Sequence, residues 1–149
     1  MRRKLSGLCW PTGVAVATAM LIAVTGSAQD RAKNQEKPAQ VQDAERVVQE
    51  QVEAYNKHDL DAFVATYSPD IKAYRFPDKL LGSGHEEMRK VFGALFEKEP
   101  GLHAEIMKRI VQGDHVIDHE KVVVGGRDDR QVAIYQVKGG KIINVWFIR

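Results

Sequence analysis

The chain has 149 residues, enough for one domain with a hydrophobic core. Its 22 basic and 20 acidic residues nearly balance, at a formal net charge of +2, so there is no large excess of basic charge for nucleic acid. A single cysteine excludes an intramolecular disulfide.

The N-terminal segment has the pattern of a secretory signal peptide. Residues 2–4 (RRK) are basic, residues 13–24 (GVAVATAMLIAV) are apolar, and residues 26–28 (GSA) are small, as at a cleavage site. A membrane anchor is the rival interpretation, but a spanning helix needs about 20 apolar residues. We therefore predict a signal peptide at residues 1–28, cleavage after Ala28, and a periplasmic or secreted protein without membrane contact.

Cleavage would change both the charge and the cysteine count. Three basic residues and no acidic ones leave, so 19 basic and 20 acidic residues remain, a net charge of −1. Cys9 leaves too, so the mature chain would have neither a disulfide nor a thiol nucleophile. We expect no nucleic-acid partner.

Two helices are predicted at the start of the mature chain. Residues 29–40 (QDRAKNQEKPAQ) have no large apolar side chain and are predicted as a flexible linker, followed by one domain over residues 41–149. The first helix covers about residues 41–57, where apolar side chains recur at spacings of three and four. Asp59 is predicted to cap a second helix, which ends at residues 68–70 (SPD).

A short hairpin and a third helix follow. Residues 71–76 and 79–82 are predicted strands around a turn at Pro77-Asp78. Ser83 is predicted to start the third helix, with Glu86 completing a capping box. The apolar stripe of this helix is predicted to be core: Met88, Val91, Phe92, Leu95 and Phe96.

The last third of the chain predicts four consecutive β-strands rich in Val, Ile and aromatic residues. Gly113-Asp114 and Gly139-Gly140 suit two-residue hairpin loops, because glycine supplies positive φ. Residues 125–128 (GGRD) predict a looser, four-residue connection. The order of helix, helix, hairpin, helix and antiparallel meander indicates an α+β fold.

Hairpin loops fix the register of the meander, and the register assigns its two faces. The expected cross-strand pairs are Arg109–Asp118, Lys108–His119, Met107–Glu120, Ala133–Trp146, Val132–Phe147 and His119–Ile134. The concave, helix-facing side is predicted to carry Ala104, Ile106, Lys108, Ile110, Ile117, His119, Lys121, Val123, Val132, Ile134, Gln136, Ile143, Val145 and Phe147. The outer side is predicted to carry His103, Glu105, Met107, Arg109, Val111, Asp118, Glu120, Val122, Ala133, Tyr135, Asn144, Trp146 and Ile148. One β-bulge would exchange the faces over part of the sheet.

The predicted outer face combines ion pairs with large apolar side chains, which a solvated surface does not need. We interpret Arg109–Asp118 and Glu120 as an ion network on this surface. Such a mixture is typical of a subunit interface. We therefore predict a homodimer whose contact includes Tyr135, Asn144, Trp146 and Ile148.

Residues 41–149 resemble the SnoaL-like branch of the nuclear-transport-factor-two-like superfamily, which includes ketosteroid isomerase. The likeness lies in AYNKHDLDAFVATYSPDI between the first two helices, in LLGSGHEEMRKVF leading into the third, and in the terminal meander. It implies a cone-shaped fold, with three helices packed on a strongly curved, mainly antiparallel sheet. It also implies a pocket between helices and sheet, and dimerisation through the outer face of the sheet.

The catalytic residues of ketosteroid isomerases do not carry over to this sequence. The position of their catalytic base falls at Tyr74 or Arg75, that of their helix 1 tyrosine near Gln51, and that of their oxyanion-hole acid near Ala133. The resemblance therefore does not imply isomerisation by that mechanism.

His119 is the candidate for acid–base chemistry, because a histidine among apolar residues on the concave face is neutral and exchanges protons near neutral pH. The alternative is a core histidine hydrogen-bonded to Tyr74 or Gln136. The pocket is predicted to contain Tyr55, Tyr74, Ile117, Lys121, Ile134, Val145 and Phe147. If the register shifts, the site residues become His103, Glu105, Arg109, Asp118 and Glu120.

No metal or cofactor is expected. His115 and His119 lie on one strand face but about 13 Å apart, too far to hold one ion. His103 and Glu105 are closer, at about 7 Å, without an identifiable third ligand. Phosphate loops, nucleophile elbows and paired cysteines are missing from the sequence.

These features predict an exported domain that binds a small, largely apolar molecule. Cofactor-free acid–base catalysis of the isomerase, cyclase or hydrolase type is a further hypothesis. The alternatives are a non-catalytic periplasmic carrier and a dimerisation module.

Overall fold

The computed structural model describes the backbone of residues 28–149 and the side chains of residues 41–149. The elements are α1 (Ala28–Asn56), α2 (Leu60–Ala65), β1 (Tyr67–Arg75), β2 (Lys79–Ser83), α3 (Gly84–Lys98), β3 (His103–Gln112), β4 (His115–Val124), β5 (Arg127–Lys138) and β6 (Lys141–Ile148). The basic and apolar parts of the predicted signal peptide lie outside the described residues. No helix within the described part is long and apolar enough to cross a membrane.

The first helix begins earlier than predicted. It starts at Ala28 instead of near Val41, so the segment predicted as a flexible linker is helical. The prediction rested on the absence of large apolar residues. However, Ala, Gln, Glu and Lys favour a helix by intrinsic propensity, which does not require an apolar face. The division into signal peptide, linker and domain stays a prediction.

The cap of α2 is as predicted, and the cap of α3 differs. Asp59 Oδ1 accepts a hydrogen bond from the backbone N–H of Ala62 at 3.0 Å. At α3, the backbone N–H of Ser83 donates to Glu87 Oε2 at 2.8 Å, while the Ser83 side chain makes no capping bond. The reciprocal capping box with Glu86 was therefore wrong, because the carboxylate one residue later reaches the same N–H.

The sheet has six strands in the order β2-β1-β6-β5-β4-β3. β1 pairs in parallel with β6, and the other neighbours are antiparallel. The helices pack on the concave face of this curved, mixed sheet. The predicted α+β class and cone-shaped architecture are confirmed.

The register departs from the prediction at three places. Arg109 pairs with Asp118 as expected, but a bulge between Ile106 and Lys108 leaves Met107 out of the ladder. A second bulge after Gln136 moves Ala133 opposite Phe147 instead of Trp146. His119 lies opposite Val132 instead of Ile134.

The third departure comes from a tighter loop than predicted. β4 and β5 are joined by only two residues, Gly125 and Gly126, with φ of 57° and 74°. Residues with a Cβ rarely adopt positive φ, and two such values in succession suit a tight hairpin turn. The loop is therefore two residues shorter than the predicted connection.

The two bulges reverse the predicted faces of β4 and β5, whereas the shorter loop moves the pairing by two residues and exchanges no face. Because side chains alternate along a strand, burial identifies the inner face. The inner face of the two strands carries Val116, Asp118, Glu120, Val122, Gln131, Ala133, Tyr135 and Val137, all buried. The outer face carries Ile117, His119, Lys121, Val123, Val132, Ile134 and Gln136.

Aromatic side chains dominate the core between helices and sheet. Phe63 of α2 is fully buried, with its ring centroid 4.5 Å from that of Phe92 and 5.2 Å from that of Tyr67. Tyr55 of α1 packs edge-on against Phe96 at 5.5 Å. The apolar stripe of α3 forms part of this core except at Val91. Val91 is 54% exposed, because it lies where the space between helices and sheet opens to solvent.

Candidate functional site

A cavity of about 720 Å³ lies between the helices and the concave face of the sheet. The helices contribute an apolar and aromatic wall to it: Val52, Tyr55, Phe63, Met88, Val91, Phe92 and Leu95. The sheet contributes Ala73, Ala104, Val122, Val124, Phe147 and a group of polar side chains. Exposed Leu81, Val91 and Arg127 mark the side that opens to solvent.

A buried carboxyl group lies on the sheet side of this cavity. Glu120 is only 4% exposed. Its Oε1 accepts a hydrogen bond from Tyr135 Oη at 2.9 Å, and its Oε2 accepts one from Gln131 Nε2 at 2.9 Å. Each oxygen keeps a second lone pair that a bound molecule could meet.

The environment of Glu120 raises the pKa of its carboxyl group. Burial is the largest cause, and the nearby Asp118 carboxylate adds to it. The hydrogen bonds from Gln131 and Tyr135, and the Arg109 charge, act in the opposite direction. Burial prevails, so this carboxyl holds its proton to higher pH than an exposed glutamate, as suits a group that takes and returns protons.

Three phenols surround Glu120. Burial is the first cause that raises the pKa of Tyr55, Tyr67 and Tyr135, and the Glu120 charge raises each of them further. These hydroxyls therefore stay protonated at neutral pH. Tyr55 and Tyr67 line the cavity, where a protonated phenol can donate a hydrogen bond to an oxygen of a bound molecule.

A second carboxylate lies deeper, against α1. Asp118 is 0% exposed and accepts two hydrogen bonds from Arg109, Nε to Oδ1 at 2.8 Å and Nη2 to Oδ2 at 2.7 Å. Arg109 Nη1 also donates to Gln49 Oε1 of α1 at 3.0 Å. This pair therefore lies between sheet and helix, which corrects its interpretation as an outer-surface network.

The structure places His119 on the outer face, away from the cavity. Both neighbours of His119 in β4 are buried on the inner side, so its own side chain points outward. All five histidines lie in the described part of the chain, and none of them lines the cavity. The concave placement predicted for His119 was wrong, because single-residue bulges between β3 and β4 and between β5 and β6 exchange the faces of β4 and β5 relative to the rest of the sheet.

Of the predicted pocket residues, Tyr55 and Phe147 line the cavity. Val145 is buried on the same face without lining it. The reversal of β4 and β5 places Ile117, Lys121 and Ile134 on the outer face. Tyr74 of β1 also lies there, stacked on Trp146.

The alternative set is divided between the two faces. Glu120 lines the cavity, and Arg109 and Asp118 lie beside it on the same side. His103 and Glu105 are exposed on the outer face, where Glu105 pairs with Lys121. Within the described residues, no group of three or more His, Cys, Asp or Glu side chains is placed to hold a metal ion.

The predicted interface residues are also divided. Tyr135 is buried on the inner face, so its assignment to an outer interface was wrong. Asn144, Trp146 and Ile148 do lie outside, where the Trp146 ring stacks on Tyr74 at 5.6 Å between centroids.

The sequence does not single out the side chains that hold Glu120. Gln131 faces Glu120 across the β4–β5 ladder, and Arg149 Nε donates to Gln131 Oε1 at 2.7 Å. Gln51 and Arg75 also line the cavity. A neutral amide within a strand carries no sequence signal, and only the correct register would have paired Gln131 with Glu120.

Comparison with known proteins agrees with this geometry. The sequence model of the SnoaL-like domain matches residues 48–145. An uncharacterized cystatin-fold protein of Novosphingobium aromaticivorans has a TM-score of 0.67 at 28% identity, over 72% of this chain and 97% of that chain. No curated protein matches significantly.

Two further solved structures share the fold at lower identity. A SnoaL-like protein of unknown function from Burkholderia thailandensis has a TM-score of 0.60 at 20% identity, over 70% of this chain and 92% of that chain. An LEH-like epoxide hydrolase of M. tuberculosis has a TM-score of 0.62 at 15% identity, over 72% and 83%. The chain therefore belongs to the SnoaL-like domain family and has the cone-shaped fold of the nuclear-transport-factor-two-like superfamily.

Proposed function

We propose that the chain binds in its cavity a small, largely apolar molecule with one polar end. We further propose that Glu120 moves a proton from one atom of this molecule to another without a cofactor. The observation that carries this proposal is the buried carboxyl group of Glu120 in the wall of an otherwise largely apolar, aromatic cavity. His119, on the outer face, has no part in it.

The proposed step is a proton shift within the bound molecule. Ionised Glu120 takes a proton from a carbon next to the polar end, and the electron pair moves onto an oxygen of that end. Tyr55 or Tyr67 donates a hydrogen bond to this oxygen as it gains charge. Glu120 then returns the proton to another atom of the same molecule, so that no co-reactant is consumed. The M. tuberculosis neighbour described as an epoxide hydrolase indicates that this fold also carries hydrolytic chemistry.

Proton abstraction can be tested before the natural ligand is known. 5-Nitrobenzisoxazole is a small aromatic probe that opens to a coloured cyanonitrophenolate when a base removes its ring C–H proton. The wild-type chain should accelerate this reaction, and the rate should rise with pH through the raised pKa of Glu120. Glu120→Gln should lower the rate on the order of 10²-fold or more.

Glu105→Gln is the matched control, because Glu105 is an exposed carboxylate on the outer face of the same sheet. It should leave the rate unchanged. If Glu120→Gln keeps the wild-type rate, or both variants lose it equally, Glu120 is not the base.

A non-catalytic carrier is the second candidate function. It is favoured by one observation: both oxygens of Glu120 already accept hydrogen bonds within the protein, as in a structural carboxylate. A carrier would bind the apolar dye Nile red in the cavity, would lose it on Leu95→Arg, and would show no turnover of the benzisoxazole probe.

We further propose an exported homodimer. Its contact would be the outer face, where Trp146 and exposed Ile148 lie. Trp146→Asp should give monomers in sedimentation, whereas Leu80→Asp, at an exposed apolar position of β2, should not. A Trp146→Asp variant that stays dimeric would contradict this contact.

Export predicts a mature N-terminus at Gln29, which mass spectrometry of the periplasmic or secreted protein would detect.

A further inference from the structure

We propose that Arg149 is a positioning residue, which fixes the side-chain amide of Gln131 so that its nitrogen, and not its oxygen, faces Glu120. The importance of this arrangement for proton transfer rests on the proposed function, but the arrangement itself can be tested without any ligand.

The geometry links three side chains in one direction. Arg149 Nε donates to Gln131 Oε1 at 2.7 Å, and Gln131 Nε2 donates to Glu120 Oε2 at 2.9 Å. The backbone produces this alignment, because Glu120 pairs with Gln131 across β4 and β5, and Arg149 directly follows the pair Val132–Ile148.

The chemistry of the groups makes the direction unique. A guanidinium has only donors, so it can bind the amide only at its oxygen. The nitrogen of Gln131 must then face away from Arg149, toward the carboxylate. Without Arg149 the amide could rotate by half a turn and place its oxygen against Glu120.

The two orientations have opposite effects on Glu120. A donated N–H stabilises the carboxylate, and the hydrogen bond from Gln131 indeed lowers the pKa of Glu120 against the larger effect of burial. An amide oxygen in its place would repel the carboxylate and favour the protonated acid. Asp118, Arg109 and Tyr135 also act on the pKa of Glu120, and the Glu120 charge acts on Tyr55 and Tyr67. None of these five residues is substituted in the Arg149 variants.

The experiment follows the titration of Glu120 in the ligand-free full domain. Glutamate labelled with ¹³C at the carboxyl carbon gives one signal per side chain, and the signal missing in Glu120→Gln identifies Glu120. In Arg149→Met the midpoint of this titration should move upward by about one pH unit, the loss expected for one hydrogen bond to a charged group. Arg149→Lys can still donate to Gln131 Oε1, so its midpoint should stay near that of the wild type.

Two further variants separate orientation from simple loss of charge. Arg130→Met removes a positive charge from the exposed neighbour of Gln131 and should leave the midpoint unchanged. Gln131→Leu should raise the midpoint, and adding Arg149→Met to it should cause no further change.

The outcomes are decisive in both directions. An unchanged midpoint in Arg149→Met, an equal shift in Arg130→Met, or a further shift of the Gln131→Leu variant on losing Arg149 would each overturn the inference. Failure of Glu120→Gln to slow the benzisoxazole reaction would overturn the proposed function only, because the titration is recorded without a substrate.

Discussion

The buried Arg109–Asp118 pair makes the strongest prediction about stability. Asp118 is fully buried, and only 13% of the Arg109 side chain is exposed. Arg109→Met keeps most of the side-chain length but removes all three hydrogen bonds, two to Asp118 and one to Gln49. Asp118 would then be a buried carboxylate without its charged partner.

The size of the effect follows from that burial. Breaking a buried pair by removing one partner costs about 3–5 kcal/mol, because the remaining charge is uncompensated. A domain is stable by only about 5–15 kcal/mol in total, so Arg109→Met should remove a large part of the free energy of unfolding. Urea unfolding at neutral pH, followed by tryptophan fluorescence, measures the difference.

An exposed arginine provides the comparison. Arg46 of α1 pairs with Asp43 and Glu50, but about half of its side chain is exposed. Arg46→Met should therefore cost far less stability than Arg109→Met. The double variant Arg109→Met/Asp118→Leu removes both charges and should recover most of the loss. Equal costs for the Arg109 and Arg46 variants would refute the reasoning, as would a double variant no more stable than Arg109→Met.

Three further effects are expected. The folded state raises the pKa of Glu120 above its ordinary value of 4.5, so the stability that this group contributes is complete below pH 4.5 and is lost as pH rises through the pKa of the folded state. The melting temperature of Glu120→Gln should therefore rise relative to that of the wild type over this pH range. A difference in melting temperature that does not change with pH would contradict the raised pKa. Asp59→Ala removes the cap of α2 and should cost about 1 kcal/mol in urea, against about half of that or less for the exposed Asp61→Ala. Phe63→Ala empties a fully buried site in the cavity wall and should cost about 3–5 kcal/mol; a cost below about 1 kcal/mol would mean that the aromatic cluster is not packed as described.

The elements of the fold could be predicted because their signals are local. The glycine turns at Gly113 and Gly139-Gly140 delimit the strands, and Asp59 marks the start of α2. The apolar stripe of α3 shows which side packs on the sheet. Each of these signals depends on a few neighbouring residues, so tertiary structure did not overrule it.

The faces of the sheet could not be predicted, because they depend on single-residue shifts. A bulge at Met107 and another after Gln136 exchange the two sides of a strand, and neither has a local sequence signal. On β4 the two faces are almost equally apolar, and the inner one carries Asp118 and Glu120, which a hydrophobic pattern assigns to solvent. The Gly125-Gly126 pair was a usable signal for a two-residue loop.

The candidate site followed from the faces. Tyr55 and Phe147 were predicted to lie in the pocket, and both line it. The apolar stripe of α1 identifies the buried side of Tyr55. The bulge between β5 and β6 means that Phe147 keeps its predicted face although the faces of β5 are reversed. His119 was predicted as the reactive group because the expected register placed it on the concave face and placed Glu120 on the outer one. A glutamate becomes unusual only when its burial is known.

The parallel pairing of β1 with β6 has a consequence for how the chain folds. Lys72 lies beside Asn144, and α3 and four other strands intervene along the sequence. The hairpins β3–β4, β4–β5 and β5–β6 close short loops and can form early, whereas β1 meets its partner only after a long loop has been closed. Until then the edge of β6 that β1 covers is an unpaired strand edge, open to another chain. Pairing of β1 with β6 therefore covers a strand edge that would otherwise be open to aggregation.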